Sequence, residues 1–152
     1  MEAVASMNAQ RSQRRTVAGP KESAAAPVRV LLVEDSEGLT ERLSEALRQI
    51  PEIQLVAAVD TEDDACAAVA REHIDVMILD LHLRQGNGFG VLRALSKVPK
   101  RPLTVVLTNY DLPQYKDAAL GLGAAYFMDK VRDYDKLPEI LNDLVVKCRS
   151  SN

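Results

Sequence analysis

Thiol chemistry has little to work with in this sequence. The two cysteines, Cys66 and Cys148, fall in separate predicted helices with no CxxC or Cys/His ligand spacing around them. That excludes a zinc knuckle and a disulfide framework, and it fits a reducing compartment. No apolar run approaches the ~20 residues of a membrane span. The N-terminus carries basic residues but no apolar h-region, so a secretory signal is not expected. By elimination, a cytoplasmic protein without membrane insertion is expected. The first predicted strand is not followed by G-x-G-x-x-G, which removes a dinucleotide-binding unit. Nor is it followed by a Ser/Thr/Gly-rich phosphate loop of the flavin-binding kind. The net charge of −3 argues against nonspecific nucleic-acid or membrane binding as the main activity.

What is present is an ordinary globular balance, 152 residues with 47% hydrophobic and 27% charged, enough for one domain with a proper core. Charge is unevenly spread. Residues 1–27 carry Arg11, Arg14, Arg15 and Lys21 against Glu2 and Glu22, an excess of two positive charges, which leaves residues 28–152 with an excess of five negative ones. The first segment, rich in Ala, Ser, Gln and Arg and without periodicity, reads as a disordered extension. Residues 28–149 read as the folded domain and 150–152 as a short tail.

Along that domain, five apolar runs alternate with five helical patterns. The strands are expected at 28–33, 53–59, 76–80, 103–107 and 124–128. Ser36 and Thr61 are placed to cap the first two helices, and Pro113 to start the fourth. Gly86 and Gly88 suit positive φ in the loop after the third strand. The last helix is expected over 135–147. Such alternation implies a doubly wound parallel sheet with right-handed crossovers.

Open sheets of this kind bind ligands beyond the carboxyl ends of their strands. Here the strand ends supply Glu34 and Asp35, Asp80, Thr108 and Lys130. Three carboxylates at one rim repel one another and favour a cation, and oxygen-only ligands suit Mg²⁺. Asp80 ends the most apolar strand, Val76-Met77-Ile78-Leu79, and could attack an electrophilic phosphorus to form an acyl phosphate. Lys130 and Mg²⁺ could compensate phosphoryl charge, and the Thr108 hydroxyl could hydrogen-bond a phosphoryl oxygen. Taken singly, each residue has a duller explanation: a helix cap, a turn, a surface lysine. Their joint placement at the correct strand ends is what carries the reading.

At this point the chain resembles the response-regulator receiver domains of two-component signalling, stand-alone and chemotaxis-receiver-like. The matching motifs are Val30-Leu31-Leu32-Val33-Glu34-Asp35, Asp75-Val76-Met77-Ile78-Leu79-Asp80-Leu81, Gly86-Asn87-Gly88, Leu107-Thr108-Asn109 and 123–130 ending in Asp129-Lys130. The resemblance implies a flavodoxin-like (βα)5 fold, strand order 2-1-3-4-5. It implies that Asp80 is the phosphoacceptor and that Glu34, Asp35, Asp80 and the backbone carbonyl of His82 bind Mg²⁺. It implies that Thr108, Phe127 and Lys130 form the phosphate-binding switch. The partners it implies are a sensor histidine kinase or histidine phosphotransfer protein, a downstream protein target and a phosphorylation-dependent homodimer, through the face made by the fourth helix, fifth strand and fifth helix. Kinase docking is expected around Leu39, Arg42 and Leu43. No effector segment follows the last helix, so direct DNA binding and a separate catalytic activity are not expected. A phosphatase with a strand-end nucleophile would want a second Asp at the place of His82. The alternative kept is a receiver-like interaction module not regulated by phosphorylation.

Several positions depart from the family pattern. Val131 follows the lysine where proline is common, and a cis bond is not expected there. Arg84 stands where the loop often has proline. His82 and Tyr110 are bulky at positions that affect acyl-phosphate lifetime in the family, and they are expected to lengthen it.

Overall fold

The computed structural model describes residues 26–110 and 112–150, so the expected extension over 1–27 lies almost wholly outside the described residues. The sheet contains β1 (Val28–Val33), β2 (Ile53–Val59), β3 (Val76–Leu79), β4 (Leu103–Thr108) and β5 (Tyr126–Asp129). All pairings are parallel and the order is β2-β1-β3-β4-β5. The helices are α1 (Glu37–Arg48), α2 (Glu62–Arg71), α3 (Gly88–Leu95), α4 (Pro113–Gly121) and α5 (Leu137–Ser150). The flavodoxin-like arrangement expected from the sequence is the one observed.

The strands at the middle of the sheet are apolar on both faces because both faces are covered. Val30, Leu32, Ile78, Val105 and Leu107 pack under α1 and α5 through Leu43, Leu47, Leu141 and Leu144. Leu31, Val33, Met77, Leu79 and Val106 pack under the other three helices through Ala65, Ala68, Val91, Leu92 and Ala119. Ser36 and Thr61 cap α1 and α2 as expected, their hydroxyls accepting the N–H groups of Leu39 and Asp64. Pro113 opens α4.

Three local expectations change. The fifth strand begins at Tyr126 rather than Ala124. Gly123 takes φ 102°, and the Ala124 N–H still closes the end of α4 on the Ala119 carbonyl, 3.0 Å, so the chain first meets β4 through the Ala125 N–H, which donates to the Thr104 carbonyl, 2.8 Å, and the strand follows. The last helix starts with a 3-10 turn over Tyr134–Lys136 and then runs as α-helix to Ser150. Gly86 has positive φ, 71°, but Gly88 does not. Gly88 is needed for closeness instead: a Cβ there would lie 2.6 Å from the Asp80 carbonyl oxygen and 2.9 Å from the Leu81 Cα.

That contact ties the start of α3 to Asp80, the residue just past β3. Gly88→Ala is expected to destabilise the fold by about 1–3 kcal/mol through overpacking against main chain. Gly38→Ala, in the first turn of α1 with nothing within 4 Å of the new Cβ, is expected to be neutral or to stabilise by up to ~1 kcal/mol. Urea denaturation of both variants checks the contrast.

Candidate functional site

The site follows from strand order. Ladder hydrogen bonds continue one residue past β1 and β3: the Glu34 N–H donates to the Val59 carbonyl and the Asp80 N–H to the Val33 carbonyl, each 2.9 Å. Both acids are therefore fixed by main chain at the carboxyl edge of the sheet. Lys130 leaves the end of β5 and reaches back between them. Its Nζ lies 2.9 Å from Glu34 Oε2 and 2.9 Å from Asp80 Oδ2. Glu34 and Asp80 are buried and Lys130 is largely enclosed between them, with 2%, 3% and 11% of the side chain exposed.

Asp35 joins them from the partly exposed rim. One carboxylate oxygen from each of Glu34, Asp35 and Asp80 falls within 4.8 Å of the others. The Ser36 N–H donates to Glu34 Oε2, 3.0 Å, and the His82 N–H to Asp80 Oδ1, 3.2 Å. Burial pushes the Glu34 carboxyl above its ordinary range and the Asp80 charge adds to this, while the Lys130 hydrogen bond and the Ser36 N–H oppose it. Burial pulls the Lys130 ammonium down, but hydrogen bonds to Asp80 and Glu34 outweigh it and the net direction is upward. Three carboxylates against one ammonium leave about two negative charges uncompensated, and hard oxygen donors without a nitrogen or sulfur ligand suit a divalent ion such as Mg²⁺.

The other sequence-selected residues are near this rim with distinct placements. Thr108 ends β4 and is fully buried; its hydroxyl accepts the Tyr110 N–H, 3.2 Å, and its carbonyl accepts the Lys130 N–H, 2.9 Å. Phe127, paired with Val106 in the ladder, is half-buried against the core under α2, α3 and α4. The exposed His82 ring meets the Tyr110 ring at 5.8 Å between centroids, and Tyr115 extends the aromatic group. Arg84, in the place of the loop proline, pairs with Asp60 at 2.8 Å. All described peptide bonds are trans, that to Val131 included. Around α1 one expectation is corrected. Leu39 and Leu43 are core residues and cannot form a docking face, whereas Arg42 stays exposed with its guanidinium 5.6 Å from the Tyr134 ring centroid.

Sequence reasoning missed Asp129 and Asp133, whose carboxylates accept main-chain N–H groups of the loop around Lys130. The signal available was two acids four apart just past a predicted strand.

Residues 30–142 match the family model of the response regulator receiver domain. The chain belongs to that family. As a member, it is a receiver domain of the two-component response regulators, a signalling domain. It is 30% identical over 112 residues to the sensory transduction protein LytT of Enterococcus faecalis, covering 74% of this chain and 46% of that protein. It is 34% identical over 106 residues to protein-glutamate methylesterase/protein-glutamine glutaminase 2 of Anaeromyxobacter dehalogenans, covering 68% of this chain and 30% of that protein. The receiver thus spans less than half the length of these relatives. Among solved structures, the signal receiver domain of an HD domain-containing protein from Pseudomonas fluorescens superposes with TM-score 0.73 at 24% identity, covering 83% of this chain and 99% of that one, a likeness of fold. No described helix is long and apolar enough to cross a membrane.

Removing the ammonium leaves Glu34 and Asp80 facing each other in a buried site. Glu34 titrates higher folded than its ordinary 4.5, so its charge costs stability as pH rises through the folded value, and the cost is absent below 4.5. Lys130→Ala raises that folded value further. It is expected to lose about 3 kcal/mol at pH 7 without divalent ions, and progressively less as the pH is lowered toward 4.5 and Glu34 takes up a proton. Chemical denaturation over a pH series from 7 down to 4.5, with chelator present, measures this.

Proposed function

We propose that this receiver is a phosphorylation-controlled switch in which Asp80 accepts a phosphoryl group from a phosphohistidine on a sensor histidine kinase or histidine phosphotransfer protein. The observation that carries the reading is the buried Asp80 carboxylate held 2.9 Å from the Lys130 ammonium, with Glu34 and Asp35 beside it. An Asp80 oxygen attacks phosphorus, the P–N bond breaks with its electron pair passing to the imidazole, and an aspartyl phosphate forms. Glu34, Asp35, Asp80 and the His82 backbone carbonyl would hold Mg²⁺, which supplies charge neutralisation for the phosphoryl oxygens. Lys130 is already in place to pair with a new oxygen on Asp80. The Thr108 hydroxyl accepts one main-chain hydrogen bond, and its own hydrogen is left to donate to that phosphoryl group.

Phosphorylation adds roughly −2 charge at one point. Lys130 and Thr108 are drawn to it. Since the Lys130 N–H is bonded to the Thr108 carbonyl, the ends of β4 and β5 shift together, and Phe127 turns into the space vacated by Thr108. The population shift is read on the face of α4, β5 and α5 by a downstream protein or a second copy. On this reading residues 28–149 act as the switching unit, in the cytoplasm, and no turnover of an external substrate is involved.

Incubation with a small acyl-phosphate donor and Mg²⁺ is expected to give a hydroxylamine-sensitive modification resolved on a phosphate-retarding gel. Asp80→Asn should abolish it, as should omission of Mg²⁺. A wild-type chain that stays unmodified, or an Asp80→Asn chain that is modified equally, overturns the phosphoacceptor role.

The His82 and Tyr110 rings lie 5.8 Å apart between centroids, from loops that follow Asp80 and Thr108, and on this reading they would together narrow the approach of water to an acyl phosphate. His82→Asn is expected to speed loss of the phosphoryl group severalfold, about 1 kcal/mol of barrier. The decay of labelled protein after removal of donor checks it, and an unchanged or slower decay counts against the shielding.

A further inference from the structure

Lys130 crosses the rim from β5 to reach acids on β1 and β3, and nothing in a lysine fixes that direction. Its stem is flexible, and the next residue, Val131, is 84% exposed and has no ring to restrain the chain. The main chain here is held by two carboxylates. Asp129 Oδ1 accepts the N–H groups of Val131, 2.8 Å, and Arg132, 2.7 Å. Asp133 Oδ2 accepts the Asp129 N–H at 3.0 Å, and the Asp133 N–H returns to the Asp129 carbonyl at 3.0 Å. With the Lys130 N–H on Thr108, every N–H from 129 to 133 has a partner.

Asp133 is itself buried and gripped from two sides. Arg132 donates to both its oxygens, at 3.2 and 3.1 Å, and the Lys136 ammonium lies 3.5 Å away. The Arg132 guanidinium, with the Asp129 N–H, holds its carboxyl down at about 2, so it stays charged at working pH. The turn is therefore closed reciprocally: Asp133 accepts the N–H of Asp129, Asp129 accepts those of Val131, Arg132 and Asp133, and Lys130 lies between the two aspartates in the chain.

We propose that Asp133 is a positioning residue for Lys130, acting through Asp129 and the closed turn over 129–133 to aim the ammonium at Glu34 and Asp80. The proposal deepens the phosphoacceptor reading and rests on it for its effect on phosphotransfer, but not for its effect on the Lys130 ion pairs. A preorganised turn spares the ordering of the lysine when a phosphoryl group arrives, and misaiming by an ångström is enough to slow transfer.

The test is a double-mutant cycle between Asp133→Ala and Lys130→Ala, read in two ways: the Mg²⁺-dependent rate of phosphorylation by a small acyl phosphate, and the urea midpoint without donor or metal. Asp133→Ala is expected to slow phosphorylation by about tenfold when Lys130 is present and less than about twofold when it is absent. The midpoint should likewise fall further in the Lys130 background. Asp133→Asn, which keeps an oxygen for the Asp129 N–H, should restore most of the rate and guards against misfolding of the alanine variant. Equal losses in both backgrounds, or none in either, overturn the proposal, because a merely structural aspartate is indifferent to Lys130. If the wild-type chain takes no phosphoryl group, the phosphoacceptor reading fails, and the denaturation cycle still decides whether Asp133 aims Lys130.

Discussion

One ammonium between two buried carboxylates sets the terms for everything else at the rim. Glu34 and Asp80 are nearly inaccessible to water, and each is fixed by a ladder hydrogen bond that no side-chain rotation can relax. Their mutual repulsion cannot be screened by solvent, so a cation must come from within the protein. Lys130 is that cation, and it bonds both at the same distance. It neutralises only part of the acid, with Asp35 adjoining. A site of this kind is short of positive charge by construction, which is the condition for attracting a divalent ion and for tolerating a group that carries one in its own coordination sphere.

The parallel sheet makes this meeting possible. With the order β2-β1-β3-β4-β5, the strands carrying the two buried acids are neighbours, and the strand carrying the lysine lies two places beyond Asp80. Parallel pairing puts every carboxyl end on one side, so residues distant in sequence arrive together without any dedicated binding element. The fully apolar β3 serves the same end. Val76, Met77, Ile78 and Leu79 are buried on both faces, so the residue that follows has no freedom in where it emerges. Gly88 then lets α3 start within contact of that residue, at a distance no side chain would permit.

Much of this was legible in the chain because it rests on patterns with a single physical meaning. Four apolar residues bounded by an acid, Val76 to Asp80, describe a two-sided buried strand and its end. Ser36 and Thr61, just ahead of amphipathic runs, describe helix starts. The rim residues Glu34, Asp35, Asp80 and Lys130 could be assembled from strand order alone. What could not be read depended on relations between neighbours in space. Gly88 looked like a turn glycine, but its role is a close approach across the loop. Leu39 and Leu43 looked available on α1 although the sheet buries them, leaving Arg42 stacked on Tyr134. Ala124 carried strand-like neighbours, yet its N–H was still engaged by the end of α4. Asp129 stood only at the end of a motif and Asp133 drew no reading at all, because a carboxylate that caps main chain leaves no periodic trace.

The same ammonium that stabilises the resting site also limits how it can change. Lys130 bonds Glu34 and Asp80 together, so a phosphoryl group on Asp80, as proposed, would not recruit it without weakening its hold on Glu34. Glu34, already pushed upward by burial, then needs another positive partner, and the divalent ion proposed for this rim is the one that fits. On the proposed reading, phosphoryl transfer and cation binding would be one event seen from two carboxylates, each making the other less costly. The backbone adds a second coupling, since Lys130 hangs from the Thr108 carbonyl while its flanks are closed by Asp129 and Asp133. A lysine held so firmly at its main chain cannot follow the phosphoryl group by its side chain alone beyond a small reach. On the proposed reading, further displacement would be taken up by β4 and β5 as a unit, and a local change of charge would become a movement of the face they share with α4 and α5.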